Sequence, residues 1–489
     1  MFSLKNKKNL FAGLIISTYI MALFISIYLN NPDPDSGFLF TMGKYIALHK
    51  QVPRTAFWSV TGNNHAIIQQ PLCALLNYLF GSIKEPLGFY ILAFLQFLFF
   101  YCSIYKLSKT ILGDNKTYNL LVTTLLSVFG FFFATTRPYL VSFGLSFLTL
   151  DIFFTMNFKR LNEPNNKHIL YLFLIGLFQS NFQAAGLLYH FIWMFTGYLC
   201  AFTFIFLHKK QDIMQIYIRN ALLSTSSFFL GSYINPNGIN AYLYLYKARH
   251  AVKVFEIEEL SIPGLFSIQN GFLILFIYLS IYLYKNKDKY FFRDDIELYY
   301  YFGFTIIPTI FAILALRNLL SLIIPCIFAI SLLRGDKMME RLQNGLKNPP
   351  ITFVLEISAA FLLCLYMIYS FSQKDLSNPY MDKNVLSYLK SEDIIYTDFN
   401  TGAFLEKEGY KIYIDARPEL YDKDICGKDI INEAKNIHYL TIDPEEFRQK
   451  YGFTKFLTTK GTYERYLRYS SSYNLLYENN NICLYEYIG

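Results

Sequence analysis

In a chain of 489 residues, 54% are hydrophobic and only 16% charged; a typical soluble domain carries about 25% charged residues, so a purely soluble protein is excluded. The formal charge of +8 is spread over short segments and forms no continuous basic face, which argues against a nucleic-acid partner. Aromatic residues reach 19%, almost all Phe and Tyr, as suits lipid-facing and interfacial surfaces.

Lys5, Lys7 and Lys8 precede the apolar run 10–29. That run is too long for a signal-peptide core and lacks a small-residue cleavage site, so it reads as an uncleaved signal anchor. Further runs, such as 88–105, 119–134 and 351–371, are nearly charge-free and close to the ~20 residues that span a bilayer core. Basic clusters at Lys106/Lys109/Lys116, Lys159/Arg160/Lys167, Lys209/Lys210/Arg219, Lys285/Lys287/Lys289/Arg293 and Arg334/Lys337/Arg341/Lys347 alternate with these runs. Placing every cluster in the cytoplasm gives about eleven spans by the positive-inside rule. They are 10–29, 87–106, 118–135, 139–157, 169–187, 188–207, 220–234, 271–285, 297–315, 317–333 and 351–371. The segment 66–82, with Gln69, Gln70, Pro71 and Asn77, then does not cross and reads as an interfacial helix.

The resulting architecture is an α-helical polytopic membrane domain, 1–371, with a large first outer loop, 30–86, a medium outer loop, 235–270, and a soluble extracytoplasmic α/β domain, 372–489. The tail alternates strand-like runs (394–397, 411–415, 454–457) with helix-like ones (424–439, 444–451, 463–469). It ends in a hairpin, 474–477 and 482–487, turning at Asn479-Asn480. Cys73, Cys102, Cys200, Cys326 and Cys364 fall in apolar segments and read as packed core. Cys426 and Cys483 lie in the tail, where the sequence leaves a pairing open. No Cys/His spacing of metal-site type occurs.

The first outer loop begins Asn31-Pro32-Asp33-Pro34-Asp35-Ser36-Gly37. Two carboxylates directly after a span suit a general base, a metal ligand or a group orienting a lipid-phosphate substrate; held close, they push their pKa values apart. The competing reading is a solvated turn. The loop charges place Arg137, Asn181, Gln183, Glu258, Glu259 and Arg317 on the same membrane face as Asp33 and Asp35. Singly, each reads as a cap, a turn or a snorkelling side chain. Together they read as a site in which Arg137 and Arg317 hold a phosphate or pyrophosphate by bidentate hydrogen bonds. Asp151 lies inside a span, where a charge is functional by default unless it reaches Arg160 or a neighbouring helix.

The stretch Asp33-Pro34-Asp35 through Gly43, Val52-Pro53 and Phe57 to Ser59 resembles the first outer loop of bacterial membrane glycosyltransferases of the C-type (GT-C) fold, relatives of protein O-mannosyltransferases and aminoarabinose transferases. Arg137-Pro138-Tyr139 is similar to that family's Arg-Pro turn, Asn181-Phe182-Gln183 to its helix end, and Asn235-Pro236-Asn237-Gly238 to its Asn-Pro-x-Gly loop. Ile257-Glu258-Glu259-Leu260 and Ala315-Leu316-Arg317 follow in order. In the tail, Tyr396-Thr397-Asp398-Phe399 with Gly402, then Asp415-Ala416-Arg417 and Leu420-Tyr421, resemble the extracytoplasmic domain's Asp-x-Arg signature. The chain departs from the pattern where the family tends to carry His (Leu39, Gln183), Asp (Ala56), an acidic-Trp pair (Gln70-Pro71) and Trp (Leu260).

The resemblance implies transfer of a sugar from a polyprenyl-phosphate donor to a glycan, lipid or protein acceptor in the cell envelope. Asp33 or Asp35 would act as base, and the arginines would stabilise the departing lipid phosphate. It also implies a multi-pass protein of the bacterial plasma membrane, with a cytoplasmic N-terminus. No cofactor is required by this scheme, and a divalent metal at the aspartates stays open. Two rivals remain: a non-catalytic protein of the same fold that binds or assembles envelope glycans, motivated by the departures, and a transporter or flippase of lipid-linked intermediates.

Overall fold

The computed structural model describes residues 4–31, 33, 35–62, 65–159, 166–247, 270–271, 274, 277–278, 281, 295–333 and 382–489. The expected span 351–371, most of 271–285, the boundary between the two domains, and Glu258 and Glu259 lie outside them.

Apolar sequence becomes helix wherever a span was expected among the described residues. In chain order these are α1 (Leu4–Asn30), α2 (Ser36–His49), α3 (Pro71–Gly81), α4 (Leu87–Leu112), α5 (Lys116–Ser127), α6 (Tyr139–Phe154), α7 (Asn166–Phe182), α8 (Leu187–Leu207), α9 (Gln211–Tyr233), α10 (Asn240–Lys247), α11 (Asp295–Leu314) and α12 (Ile323–Leu333). Leu87–Leu112, Tyr139–Asn157, Ala184–Leu207 and Ile296–Leu314 are long and apolar enough to cross a bilayer. The chain is a multi-pass membrane protein. By contrast α3, with 11 residues, is about 16 Å long, half the ~30 Å of a bilayer core.

In the bundle α4 packs on α6, α7 on α9 and α8 on α11. Small residues let the α7 and α9 backbones meet: a Cβ on Gly176 would lie 2.2 Å from the Phe228 carbonyl oxygen, and one on Gly231 1.9 Å from that of Phe173. Asp151, inside α6, finds its counter-charge on a neighbouring helix. Lys106 Nζ of α4 lies 3.2 Å away, and the Thr110 hydroxyl donates to it at 2.5 Å. A helix-to-helix clamp accounts for this intramembrane charge.

The tail forms a four-stranded sheet of order β1-β2-β4-β3, with β1 Ile395–Thr397, β2 Lys455–Thr459, β3 Tyr473–Glu478 and β4 Ile482–Tyr487. The β1–β2 pair is parallel and the others antiparallel. The hairpin turns at Asn479, whose side-chain oxygen accepts from the Asn481 and Ile482 amides. Two expectations need correction. Residues 411–415 add no strand to this sheet; Ile412 instead bridges to Ser59 of the first outer loop, its amide donating to the Trp58 carbonyl at 2.9 Å. The single helix expected over 424–439 is two, Lys423–Cys426 and Ile430–His438, because Gly427 takes the left-handed conformation between them (φ 79°). Cys426 and Cys483 are both buried free thiols and do not pair.

One hydrophobic cluster runs from the first outer loop into the tail, uniting Phe38, Leu39, Trp58 and Ile68 with Tyr396, Tyr413 and Leu420. The contact rests on a glycine. A Cβ on Gly37 of α2 would lie 2.1 Å from the carbonyl oxygen of Ala403, in the helix α13 (Gly402–Lys407). Lys407 adds an ion pair to Glu85 at 2.6 Å, and the Thr41 hydroxyl donates to the Glu406 carbonyl at 3.1 Å. Gly37→Ala is therefore expected to force α2 and α13 apart at a cost of about 1–3 kcal/mol. A thermal-unfolding midpoint equal to wild type, with unchanged protease resistance of the tail, would contradict it.

Candidate active site

At the end of the bundle that meets the tail, α1 ends in Asn30-Asn31 and the chain turns into α2. Asn31 fixes this turn: its Nδ2 donates to the Ile27 and Ala134 carbonyls at 2.9 and 2.8 Å, and its Oδ1 accepts from the Thr136 amide. The Thr136 carbonyl in turn accepts from Asn77 of α3 and Gln96 of α4, both at 3.2 Å. The turn carrying Arg137 is thus pinned from three helices.

That pinning brings Arg137 onto both aspartates. Arg137 Nε lies 2.9 Å from each carboxylate oxygen of Asp33, and Nη2 lies 3.1 Å from Asp35 Oδ2. Asp33 also accepts from the Asp35 amide at 2.8 Å, which holds the two carboxylates on one side of the turn. The Asp33 side chain is 9% exposed and that of Asp35 18%. Asp33 is therefore the less exposed of the two. Two carboxylates around one guanidinium leave a net negative charge.

Arg317 is placed differently. It opens a 3₁₀ turn, Leu316–Leu322, packed against the turn Val128–Phe133 that leads to Arg137. Its charge acts on Tyr189 and Tyr244, and its Nε is buried without a hydrogen-bond partner among the described residues. A buried, unpaired guanidinium nitrogen is a costly donor in want of an acceptor.

Asn181 and Gln183 hold structure near this site. Asn181 Nδ2 donates to the Leu177 and Ile234 carbonyls, both at 2.8 Å, tying α7 to the loop at Asn235. The Gln183 side-chain oxygen accepts from Ser142 at 2.7 Å and stands at the head of a buried polar chain. Gln179 Nε2 donates to Ser142 at 3.0 Å, His190 Nε2 meets Gln179 Oε1 at 3.1 Å, and His190 Nδ1 meets the Thr149 hydroxyl at 2.8 Å. Ser142 begins one turn after Pro138, so this chain braces the Arg137 turn from below.

Asp415 and Arg417 meet in the tail. Arg417 Nε donates to Asp415 at 3.0 Å, Nη2 reaches both Asp415 and Glu406, and the guanidinium lies 4.5 Å from the Phe38 ring and 4.4 Å from the Trp58 ring. Burial raises the Asp415 carboxyl, but Arg417 outweighs it and holds the group below its ordinary value. Burial pushes the Glu406 carboxyl well up, against the pull of Arg417. A raised carboxyl contributes stability at low pH that is lost as pH rises through the raised value. Glu406→Gln is therefore expected to flatten any fall in tail stability above the usual carboxylate range, read as thermal midpoint against pH. The Asp-x-Arg signature is thus a docking element that clamps the tail onto the first outer loop. Asp398 is structural too, its carboxylate accepting from the Asn400, Thr401 and Thr459 amides.

No group of three or more His, Cys, Asp or Glu that could hold a metal occurs among the described residues. Sequence reasoning passed over Glu406, Glu419, Tyr244 and the Gln179–His190 pair. Only the alternation Asp415-x-Arg417-x-Glu419 carried a signal for any of them.

No protein-family model and no curated protein sequence matches the chain. Solved structures do. The aminoarabinose transferase ArnT from Cupriavidus metallidurans, bound to undecaprenyl phosphate, superposes with a TM-score of 0.55 at 10% identity over 99% of this chain and 98% of that one. The oligosaccharyltransferase AglB from Archaeoglobus fulgidus, in complex with an inhibitory peptide and a dolichol-phosphate, gives 0.55 at 10% over 96% and 74%. The chain has the GT-C fold. The same archaeal enzyme tethered to an acceptor peptide superposes with a TM-score of 0.54 at 11% identity over 91% and 69%. Within the GT-C fold, the cluster Asp33–Asp35–Arg137 lies at the start of the first large loop, on the end of the bundle that the tail covers.

Proposed function

We propose that the chain is a membrane glycosyltransferase that moves a sugar from a polyprenyl-phosphate donor to a hydroxyl of an envelope acceptor. The site faces the outside of a bacterial plasma membrane, with the N-terminus cytoplasmic and the tail extracytoplasmic. The observation that carries the reading is the Asp33–Asp35–Arg137 cluster, together with an Arg317 nitrogen buried without a hydrogen-bond partner among the described residues. Two of the solved structures it superposes with hold undecaprenyl phosphate and dolichol-phosphate, which supports a lipid-phosphate donor here.

In this reaction Asp35 takes the proton of the acceptor hydroxyl as its oxygen attacks the anomeric carbon. The bond from that carbon to the phosphate oxygen breaks, and the electron pair leaves with the lipid phosphate. Negative charge grows on the phosphate, and Arg317 supplies a donor where that charge develops. Arg137 keeps the two aspartates close and oriented. The donor sugar already carries a good leaving group, so one carboxylate base suffices, and the sugar inverts. The test is transfer in proteoliposomes loaded with undecaprenyl-phosphate-linked sugars and an envelope-lipid acceptor fraction. Labelled sugar is expected in the acceptor, with release of one undecaprenyl phosphate per sugar. Donor that remains intact across a panel of sugars would overturn the reading.

A further inference from the structure

Three separate parts of the chain meet at one hydrogen-bond cluster: Gln69 of the first outer loop, Tyr244 of α10, and Glu419 of the tail. The Tyr244 hydroxyl donates to Glu419 Oε1; Gln69 Nε2 lies 3.2 Å from the Tyr244 oxygen and 3.5 Å from Glu419 Oε1. Burial raises the Glu419 carboxyl, and burial together with Glu419 raises the Tyr244 phenol; Tyr244 is buried, and Gln69 and Glu419 are half-buried. The cluster lines a cleft shared with Arg417 and walled by Phe38, Leu39, Ile68 and Leu420.

Two atoms of this lining are left over. Gln69 Oε1, an acceptor, and Arg417 Nη1, a donor, are buried without hydrogen-bond partners among the described residues. Each orphan is costly unless a ligand satisfies it. Arg417 is 6% exposed, its other nitrogens engaged by Asp415 and Glu406. A hydroxyl group donates once and accepts twice, so one hydroxyl can donate to Gln69 Oε1 and accept from Arg417 Nη1. The enclosed part of the cleft is about 20 Å³, room for one hydroxyl, and the rest is open. The apolar walls suit the C–H face of a ring whose substituents hydrogen-bond at its edge. Leu39 follows Asp35 by one helical turn, its amide bonding to the Asp35 carbonyl at 3.3 Å, so a ring held here lies within about two turns of the carboxylates.

We propose that the Gln69–Tyr244–Glu419–Arg417 cleft is a sugar-binding subsite that grips one hydroxyl of a pyranose or furanose ring, with Gln69 and Glu419 setting which hydroxyl pattern is accepted. The proposal deepens the glycosyltransferase reading and rests on it for the class of ligand. Its test is saturation-transfer NMR on the full chain in lipid nanodiscs with the methyl glycosides of glucose, galactose, mannose and arabinose. At least one glycoside is expected to bind saturably. Gln69→Leu and Glu419→Gln are expected to weaken it at least tenfold. Hydrogen exchange on the unaltered chain gives a reading that needs no variant: the bound glycoside slows exchange at 67–70 and 417–420. Absence of binding by all four glycosides, wild-type affinity in both cleft variants, or unchanged exchange at those segments would each overturn the subsite. Glycoside binding lost only in the cleft variants, in a chain that transfers no sugar, would keep the subsite and remove the transferase reading.

Discussion

Replacing Asp35 by Asn is expected to lower sugar transfer by about 10²–10⁴-fold, the range that a positioned general base contributes. The effect should fall on turnover rather than on donor binding, because the carboxylate acts on the acceptor hydroxyl. Asp33→Asn should also lose activity, for a different reason. Asp33 is the less exposed carboxylate, accepts the Asp35 amide, and takes the Arg137 Nε on both oxygens. Removing its charge loosens Arg137 and misplaces Asp35, so this variant should show the larger drop in thermal midpoint of the two. Steady-state kinetics paired with melting curves separates the two roles. Equal transfer by Asp35→Asn and wild type would sink the assignment of the base.

The second large effect belongs to Arg417. It pairs with both Asp415 and Glu406, and Asp415 also accepts from Tyr421 at 2.9 Å, whose oxygen accepts from Trp58 Nε1 at 3.2 Å. Removing one partner of a buried pair typically costs about 3–5 kcal/mol, because the remaining charge is left uncompensated. Arg417→Met should reach that range and also release the tail from Phe38 and Trp58. Adding Asp415→Asn and Glu406→Gln to Arg417→Met should recover much of the loss, since no charge is then stranded. Chemical or thermal unfolding with limited proteolysis of the tail reads both. A triple variant less stable than Arg417→Met would show that packing against the rings, and not charge compensation, governs the junction.

Much of the fold was legible because span length and loop charge are strong signals. Residues 139–157 and 188–207 read as spans from their apolar content and match α6 and α8 within a few residues. The reading of 66–82 as an interfacial helix rests on Gln69, Gln70, Pro71 and Asn77, and the structure forms a helix of 11 residues there, Pro71–Gly81. The strand expected at 411–415 failed for a tertiary reason. Its β-like composition serves a bridge to Ser59 in another part of the chain, which local pattern cannot reveal. The pairing of Asp33 and Asp35 with Arg137 was legible only as shared sidedness. The contact itself depends on Asn31, Asn77 and Gln96 bracing one turn from three helices. Glu419 and Tyr244 lie 175 residues apart, and no local signal could join them.

The central claim is that the aspartate cluster and Arg317 form a site for a lipid phosphate. Binding of undecaprenyl phosphate to the purified chain, followed by native mass spectrometry with undecaprenol as competitor, tests it most directly. The account predicts saturable binding that undecaprenol fails to displace and that Arg317→Ala weakens at least tenfold. Equal competition by undecaprenol, or unchanged binding in Arg317→Ala, would contradict it.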